Sequence, residues 1–252
     1  MCLINFQYKS HPKYKLVIAA NRDEFYGRPT AAAQFWEEEP NILAGRDLLQ
    51  NGTWLGVTKN GRFAALTNFR DPSEMDPRKI SRGMIVRNFL AGHQSPEEFL
   101  KTLNKEDYTG FNVLVGDTNH LFYYNNLQGD ITEVPPGTHG LSNHYLNTPW
   151  PKVVKGRKNL EAYLSTTGEV QLDSLFHILS DAEQAPDSHL PETGVGLDFE
   201  RKLSSIFIKT PDYGTRSATV VLVDHDNHVT FAERTYEKGE FKEQKTFEFT
   251  VQ

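Results

Sequence analysis

An alternation with a period of two constrains this chain more than any other feature. Near the C-terminal end "SATVVLVD", "HDN" and "HVTFAERTYE" read as two strands joined by a tight turn. Successive side chains of an extended chain point to opposite faces, so the pattern specifies a sheet with one face turned to a core. The chain also opens this way. "CLINFQY" sets Cys2, Ile4, Phe6 and Tyr8 against Leu3, Asn5 and Gln7. After the short "KSHPK" comes "YKLVIAAN", so the first two segments form a hairpin.

Further strands lie between these ends. "TWLGVT" and "FAALTNF" flank "KNGR", whose Asn60-Gly61 pair predicts a type I′ turn, in which both central residues have positive φ. "FNVLVGD" and "LFYYNN" form another hairpin. "GDITEVP", "THGLSN" and the terminal "KTFEFTVQ" continue the series. Four segments carry helical spacing instead: "SRGMIVRNFLAG", "SPEEFLKTL", "TPWPKVVKGRKNLEAYLS" and "LDSLFHILSD". In the second, Ser95 is an N-cap, Pro96 takes the first helical position and two acids occupy the first turn. "DAEQAPDSHLPETGVG" is a polar loop. Strand hairpins at both ends with helices between them predict an α+β fold in one domain, residues 1–252.

Composition narrows the function classes. A net charge of −6 argues against nucleic acid or an anionic membrane as partner. No apolar run approaches the roughly 20 residues of a membrane span, and the start lacks a signal-peptide pattern, so a soluble, cytoplasmic protein is expected. Cys2 is the one cysteine, which excludes an intrachain disulfide and a zinc site of several thiolates. The nine histidines show no metal-ligand spacing, and His225 and His228 read as turn residues.

The chemistry gathers at the first hairpin. Removal of Met1 would place a thiol and a free α-amine on one residue. An α-amine titrates near 7.7–8.0, so a useful fraction is neutral at pH 7 and able to accept the thiol proton. A turn near residues 11 and 12 brings position 2 beside position 21, within a residue or two. The Cys2 strand therefore runs along "NRDE". Arg22 would favour the thiolate, and Asp23 or Glu24 would hold the terminal ammonium. Asn68, Asn143 and Arg216 each stand at the end or head of an apolar strand, where donors to a carbonyl oxygen are needed for acyl transfer.

"MCLINF", "LVIAANRDEFYGRP", "GTWLGV", "GRFAALTNF", "GFNVLVGD", "GTHGLSN", "TPWPK" and "DYGTRSATVVLVD" together resemble the NRDE family, also called the transport and Golgi organisation protein 2 family. The matches run in order over almost the whole chain. The resemblance implies a relation to N-terminal-nucleophile hydrolases of the cholylglycine hydrolase and penicillin V acylase group, and with it a four-layer αββα sandwich. On that pattern Cys2 is the nucleophile, Asn68 the oxyanion donor, Asn143 a second donor and Arg216 a late arginine. The opening motif departs from the group's "RNxD". Matching the arginines selects Arg22, with Asp23 adjacent; matching the carboxylate offset selects Asn21 and Glu24, expected to contact substrate. Two functions follow as expectations. One is a thiol amidohydrolase acting on an amide or related acyl bond of a small molecule, with no cofactor required. The other is a non-catalytic ligand-binding or trafficking protein for haem, acyl-CoA or lipid, on a hydrolase-derived fold.

Overall fold

The computed structural model describes residues 2–72 and 78–252, and Met1 of the opening motif lies outside them. In chain order the strands are β1 (Cys2–Tyr8), β2 (Tyr14–Phe25), β3 (Thr30–Phe35), β4 (Ile42–Asp47), β5 (Leu55–Thr58), β6 (Phe63–Asn68) and β7 (Phe111–Gly116). There follow β8 (Leu121–Asn125), β9 (Ile131–Glu133), β10 (Gly137–Leu141), β11 (Tyr213–Asp224), β12 (His228–Glu237) and β13 (Glu240–Thr250). The helices are α1 (Gly83–Ala91), α2 (Pro96–Lys101), α3 (Pro151–Leu164), α4 (Leu172–Leu179) and α5 (Leu197–Leu203). The chain divides into two compact units, one of residues 1–27, 135–142 and 146–249, the other of 28–134, 143–145 and 250–252.

The first unit is built on a sheet of order β10-β1-β2-β11-β12-β13. Its helix-facing side carries Leu3, Val17, Ala19, Ala218, Val220 and Leu222, packed against Val153, Leu160 and Leu164 of α3 and Leu175, Phe176 and Leu179 of α4. Each fully buried Leu or Phe there contributes about 1.5–3 kcal/mol relative to exposure. The second unit is built on a sheet of order β3-β4-β5-β6-β7-β8-β9. Ile42, Ala44, Ala64, Leu66, Val113 and Val115 meet Ile85, Val86, Phe89 and Leu90 of α1 and Phe99 and Leu100 of α2. Two antiparallel sheets with few helices make the fold α+β.

Local signals explain most of these elements. At α2 the Ser95 hydroxyl oxygen accepts from the Glu98 N–H at 3.4 Å while the Ser95 N–H donates to the Glu98 carboxylate at 3.2 Å, a reciprocal capping box. The last turn of α1 is closed from the second sheet: Arg62 Nε donates to the Phe89 carbonyl at 2.9 Å. The turn between β5 and β6 differs from expectation. Gly61 has φ +81° but Asn60 is not in the positive-φ region, so it is not type I′. Thr58 N–H donates to the Arg62 carbonyl across three intervening residues, and a three-residue loop needs only its last residue left-handed. The sequence reading also passes over β3 and β4. "TAAAQF" has three alanines at its centre, which carry little strand preference, and is held by pairing with β4.

Close approach of α3 to the first sheet depends on glycine. A Cβ on Gly156 would lie 2.5 Å from Asn5 Nδ2, and one on Gly140 would lie 2.8 Å from Val153. Gly156→Ala is therefore expected to lift α3 from the sheet and to cost about 1–3 kcal/mol. Denaturant unfolding measures this; an unchanged midpoint would show that the Asn5 side chain yields without cost.

Candidate functional site

β1 and β2 pair with Cys2 opposite Arg22 and Leu3 opposite Asn21. Directly opposed residues of an antiparallel pair project from the same face. Cys2, Arg22 and Glu24 therefore share one face of the first sheet, while Asn21 and Asp23 share the other with Leu3, the face that α3 and α4 cover. "NRDE" does not end the strand. β2 runs on to Phe25, because β11 pairs with it through Glu24 and Phe25.

Cys2 is buried, 8 % exposed, and its backbone carbonyl accepts a hydrogen bond from Ser142 Oγ at 2.9 Å. Burial pushes its thiol above the ordinary value, and the Asp23 charge adds to this. The terminal ammonium acts the other way, and after it the Arg22 guanidinium and the Asp23 backbone N–H. Burial wins, so the resting form is the thiol.

Arg216 reaches the same neighbourhood through an irregularity. β11 pairs Thr215 with Asp23 and Ser217 with Arg22, which leaves Arg216 as the extra residue of a β-bulge. Its Nη1 donates to the carbonyls of Phe25 at 2.9 Å and Tyr26 at 3.2 Å. Burial lowers its pKa, Arg22 lowers it further and Glu24 opposes both. Arg22 Nη2 lies 3.9 Å from Glu24 Oε2. Two guanidiniums and one carboxylate thus gather where β1, β2 and β11 run side by side.

On the helix-facing side Asp23 is 1 % exposed. The Thr215 hydroxyl accepts from the Ile208 N–H at 2.9 Å, so its own proton is directed to Asp23 Oδ1, 2.7 Å away. Tyr213 donates its hydroxyl to the Asp23 backbone carbonyl at 3.0 Å. Burial raises the Asp23 pKa, and the Lys152 ammonium leads the influences opposing it. Asn21 is fully buried, and its Nδ2 donates to the carbonyls of Leu179 at 2.8 Å and Ile206 at 2.9 Å. That amide closes the last turn of α4 and faces helix rather than ligand.

Asn68 and Asn143 meet in the second unit. Asn143, fully buried, donates Nδ2 to the Asn68 carbonyl at 2.9 Å, and Arg70 N–H donates to the Asn143 carbonyl at 2.7 Å. Among the described residues no cluster of His, Cys, Asp and Glu is arranged to hold a metal ion. Among the described residues no helix is long and apolar enough to cross a membrane.

Sequence reasoning missed Lys152 and Thr215. Lys152 had a signal: it follows Pro151 in the first turn of α3, where the helix dipole disfavours a cation. Thr215 had none, because the bulge after it breaks the alternation from which its face would be read.

The fold that carries this buried cysteine and the arginine opposite it is shared with two solved structures. The cysteine-to-alanine mutant of conjugated bile acid hydrolase from Clostridium perfringens superposes with a TM-score of 0.55 at 10 % identity, covering 100 % of this chain and 98 % of that one. An arginine-to-leucine variant of that enzyme gives 0.53 at 12 % identity, with the same coverage. Residues 1–238 match the family described as Transport and Golgi organisation 2. The Transport and Golgi organization protein 2 homolog of Homo sapiens is 36 % identical over 276 residues, covering 100 % of both chains. The Bos taurus homolog is 35 % identical, covering 93 % of each. The chain belongs to the Transport and Golgi organisation 2 family.

The raised thiol pKa has a direct readout. The rate of Cys2 alkylation by iodoacetamide is expected to climb with pH and to inflect above the roughly 8.5 of a free cysteine. An inflection below that value would mean that the terminal ammonium and Arg22 together outweigh burial.

Proposed function

We propose that this protein is a thiol amidohydrolase that cleaves an amide or related acyl bond of a small molecule, with Cys2 as nucleophile after removal of Met1. The observation that carries the reading is the strand register that sets Cys2 opposite Arg22 and beside the Asp23 backbone N–H. A buried neutral thiol needs a base, and the α-amine of the same residue supplies one. The amine takes the Sγ proton as sulfur bonds to the carbonyl carbon. Collapse of the tetrahedral intermediate breaks the C–N bond, and the departing amine takes that proton, leaving a thioester. Water then adds to the thioester carbonyl, one of its protons returns to sulfur through the α-amine, and the carboxylic acid leaves. Arg22 stabilises the developing thiolate. The name of the bile acid hydrolase with the same fold supports the reaction class and says nothing of the substrate here.

Intact mass of the native protein, before and after an activated acyl ester, tests this. The expected result is a chain lacking Met1 that gains one acyl group, with both adduct and turnover lost in Cys2→Ala while its unfolding midpoint is unchanged. Turnover by protein that retains Met1 would overturn the reading.

A second reading, ligand capture without turnover, is favoured by the burial of the thiol and by Arg22 and Arg216 gathered near it. Guanidiniums of this kind pair with a carboxylate, propionate or phosphate, which suits haem or an acyl-CoA or lipid head. Haemin titration separates the versions. A saturable Soret shift weakened by Arg216→Ala supports haem, and no saturable shift removes it.

A further inference from the structure

One charged side chain inside the first unit has no part in the reaction sequence above. Lys152 is 2 % exposed, although lysine is almost never fully buried without a partner. It belongs to the sheet-facing stripe of α3, which runs Lys152, Val153, Gly156, Leu160 and Leu164. The rotation of that helix is fixed by two contacts, Val153 at Gly140 and Gly156 at Asn5. The position therefore faces the sheet, where every other member of the stripe is apolar or glycine. It also lies in the first turn, where the helix dipole works against a cation. An uncompensated ammonium there would cost several kcal/mol, so the fold must provide an anion.

The anion lies on the same face. Alternation along β2 places Val17, Ala19, Asn21 and Asp23 toward the helices, and Asp23 is the one carboxylate among them. It is as deeply buried as Lys152, and the Thr215 hydroxyl fixes one of its oxygens. The charged and titratable groups near it are the terminal ammonium, Arg22 on its own strand, Cys2 on β1, Tyr26 beyond the end of β2 and Lys152 on α3.

We propose that Lys152 is a positioning residue of the Cys2 site: its ammonium is the counter-charge that keeps Asp23 a carboxylate behind the nucleophile. Asp23 acts on the nucleophile in two ways, through its backbone N–H and through its charge. A carboxylate there receives the α-ammonium formed when the amine takes the thiol proton, whereas a neutral acid would not. In this the inference rests on the amidohydrolase reading. The charge compensation itself does not, and its test needs no turnover.

Infrared spectroscopy of the full chain reads Asp23 directly. Wild type at pH 7 is expected to show no protonated-carboxyl band assignable to Asp23. Lys152→Met is expected to gain one, which disappears when Asp23→Asn is added. In Lys152→Met the Cys2 alkylation profile is expected to move to lower pH, because the nearby negative charge is gone; Lys152→Arg is expected to restore both readouts. Should Lys152→Met fail to fold, Asp23→Asn gives the reciprocal measurement. The Lys152 ammonium, followed by NMR, is then expected to titrate about 1–3 pH units lower than in wild type. A protonated Asp23 in wild type at pH 7, or Lys152→Met leaving band and profile unchanged, or an unmoved Lys152 in Asp23→Asn, would overturn the proposal. If the pair is confirmed and Cys2 takes no acyl group, the hydrolase reading fails alone.

Discussion

The register of β2 against its two neighbours is the constraint on which the site depends. β2 is paired on both edges, with β1 on one side and β11 on the other. Sliding it by one residue against β1 would set Cys2 opposite Asn21 or Asp23, so that with Leu3 kept in the core Asp23 would turn away from α3. The apolar residues enforce the register. Leu3, Val17 and Ala19 must all face the helices if the core is to close, and that requirement carries the polar residues of "NRDE" to their places. The site therefore inherits its precision from packing some distance away from it.

Burial then sets the electrostatics. Cys2 and Asp23 stand on opposite faces of the sheet, and desolvation disfavours the charged form of each. The fold answers with cations on both sides, Arg22 near the thiol and Lys152 near the carboxyl. The two sides differ in consequence. A thiol tolerates neutrality and keeps its chemistry so long as a base is at hand. A carboxylate that becomes neutral loses its ability to hold an ammonium.

Much of the fold was legible in the sequence. Strong alternation marks β1, β2, β11 and β12, and the Ser-Pro start and helical spacing mark α1 to α4, because in these segments local preference and tertiary burial agree. The reading loses β3 and β4: the alanines of the one carry little strand preference, and the other is a short segment interrupted by Gly45. It also assigns the wrong turn at Asn60, since a dipeptide does not reveal the length of its loop. In the site, the hairpin alone brings Cys2 to "NRDE" within a residue. The division of Asn21 and Asp23 from Arg22 and Glu24 needs the actual register. Asn21 looks like a ligand contact in sequence and is a clamp on α4, because its partners, Leu179 and Ile206, are backbone carbonyls from distant chain.

The bulge at Arg216 also changes the parity of β11. Before it the odd residues Tyr213 and Thr215 lie opposite Phe25 and Asp23. After it the even residues Ala218, Val220 and Leu222 carry the core side. One strand thus presents two reading frames, joined at a single arginine. An insertion or deletion at that point would leave the apolar half of the strand seated and rotate the polar half by one face. Thr215 would be taken from Asp23 while the core stayed closed. The fold therefore holds a position at which the site could be dismantled and the protein would still be well folded.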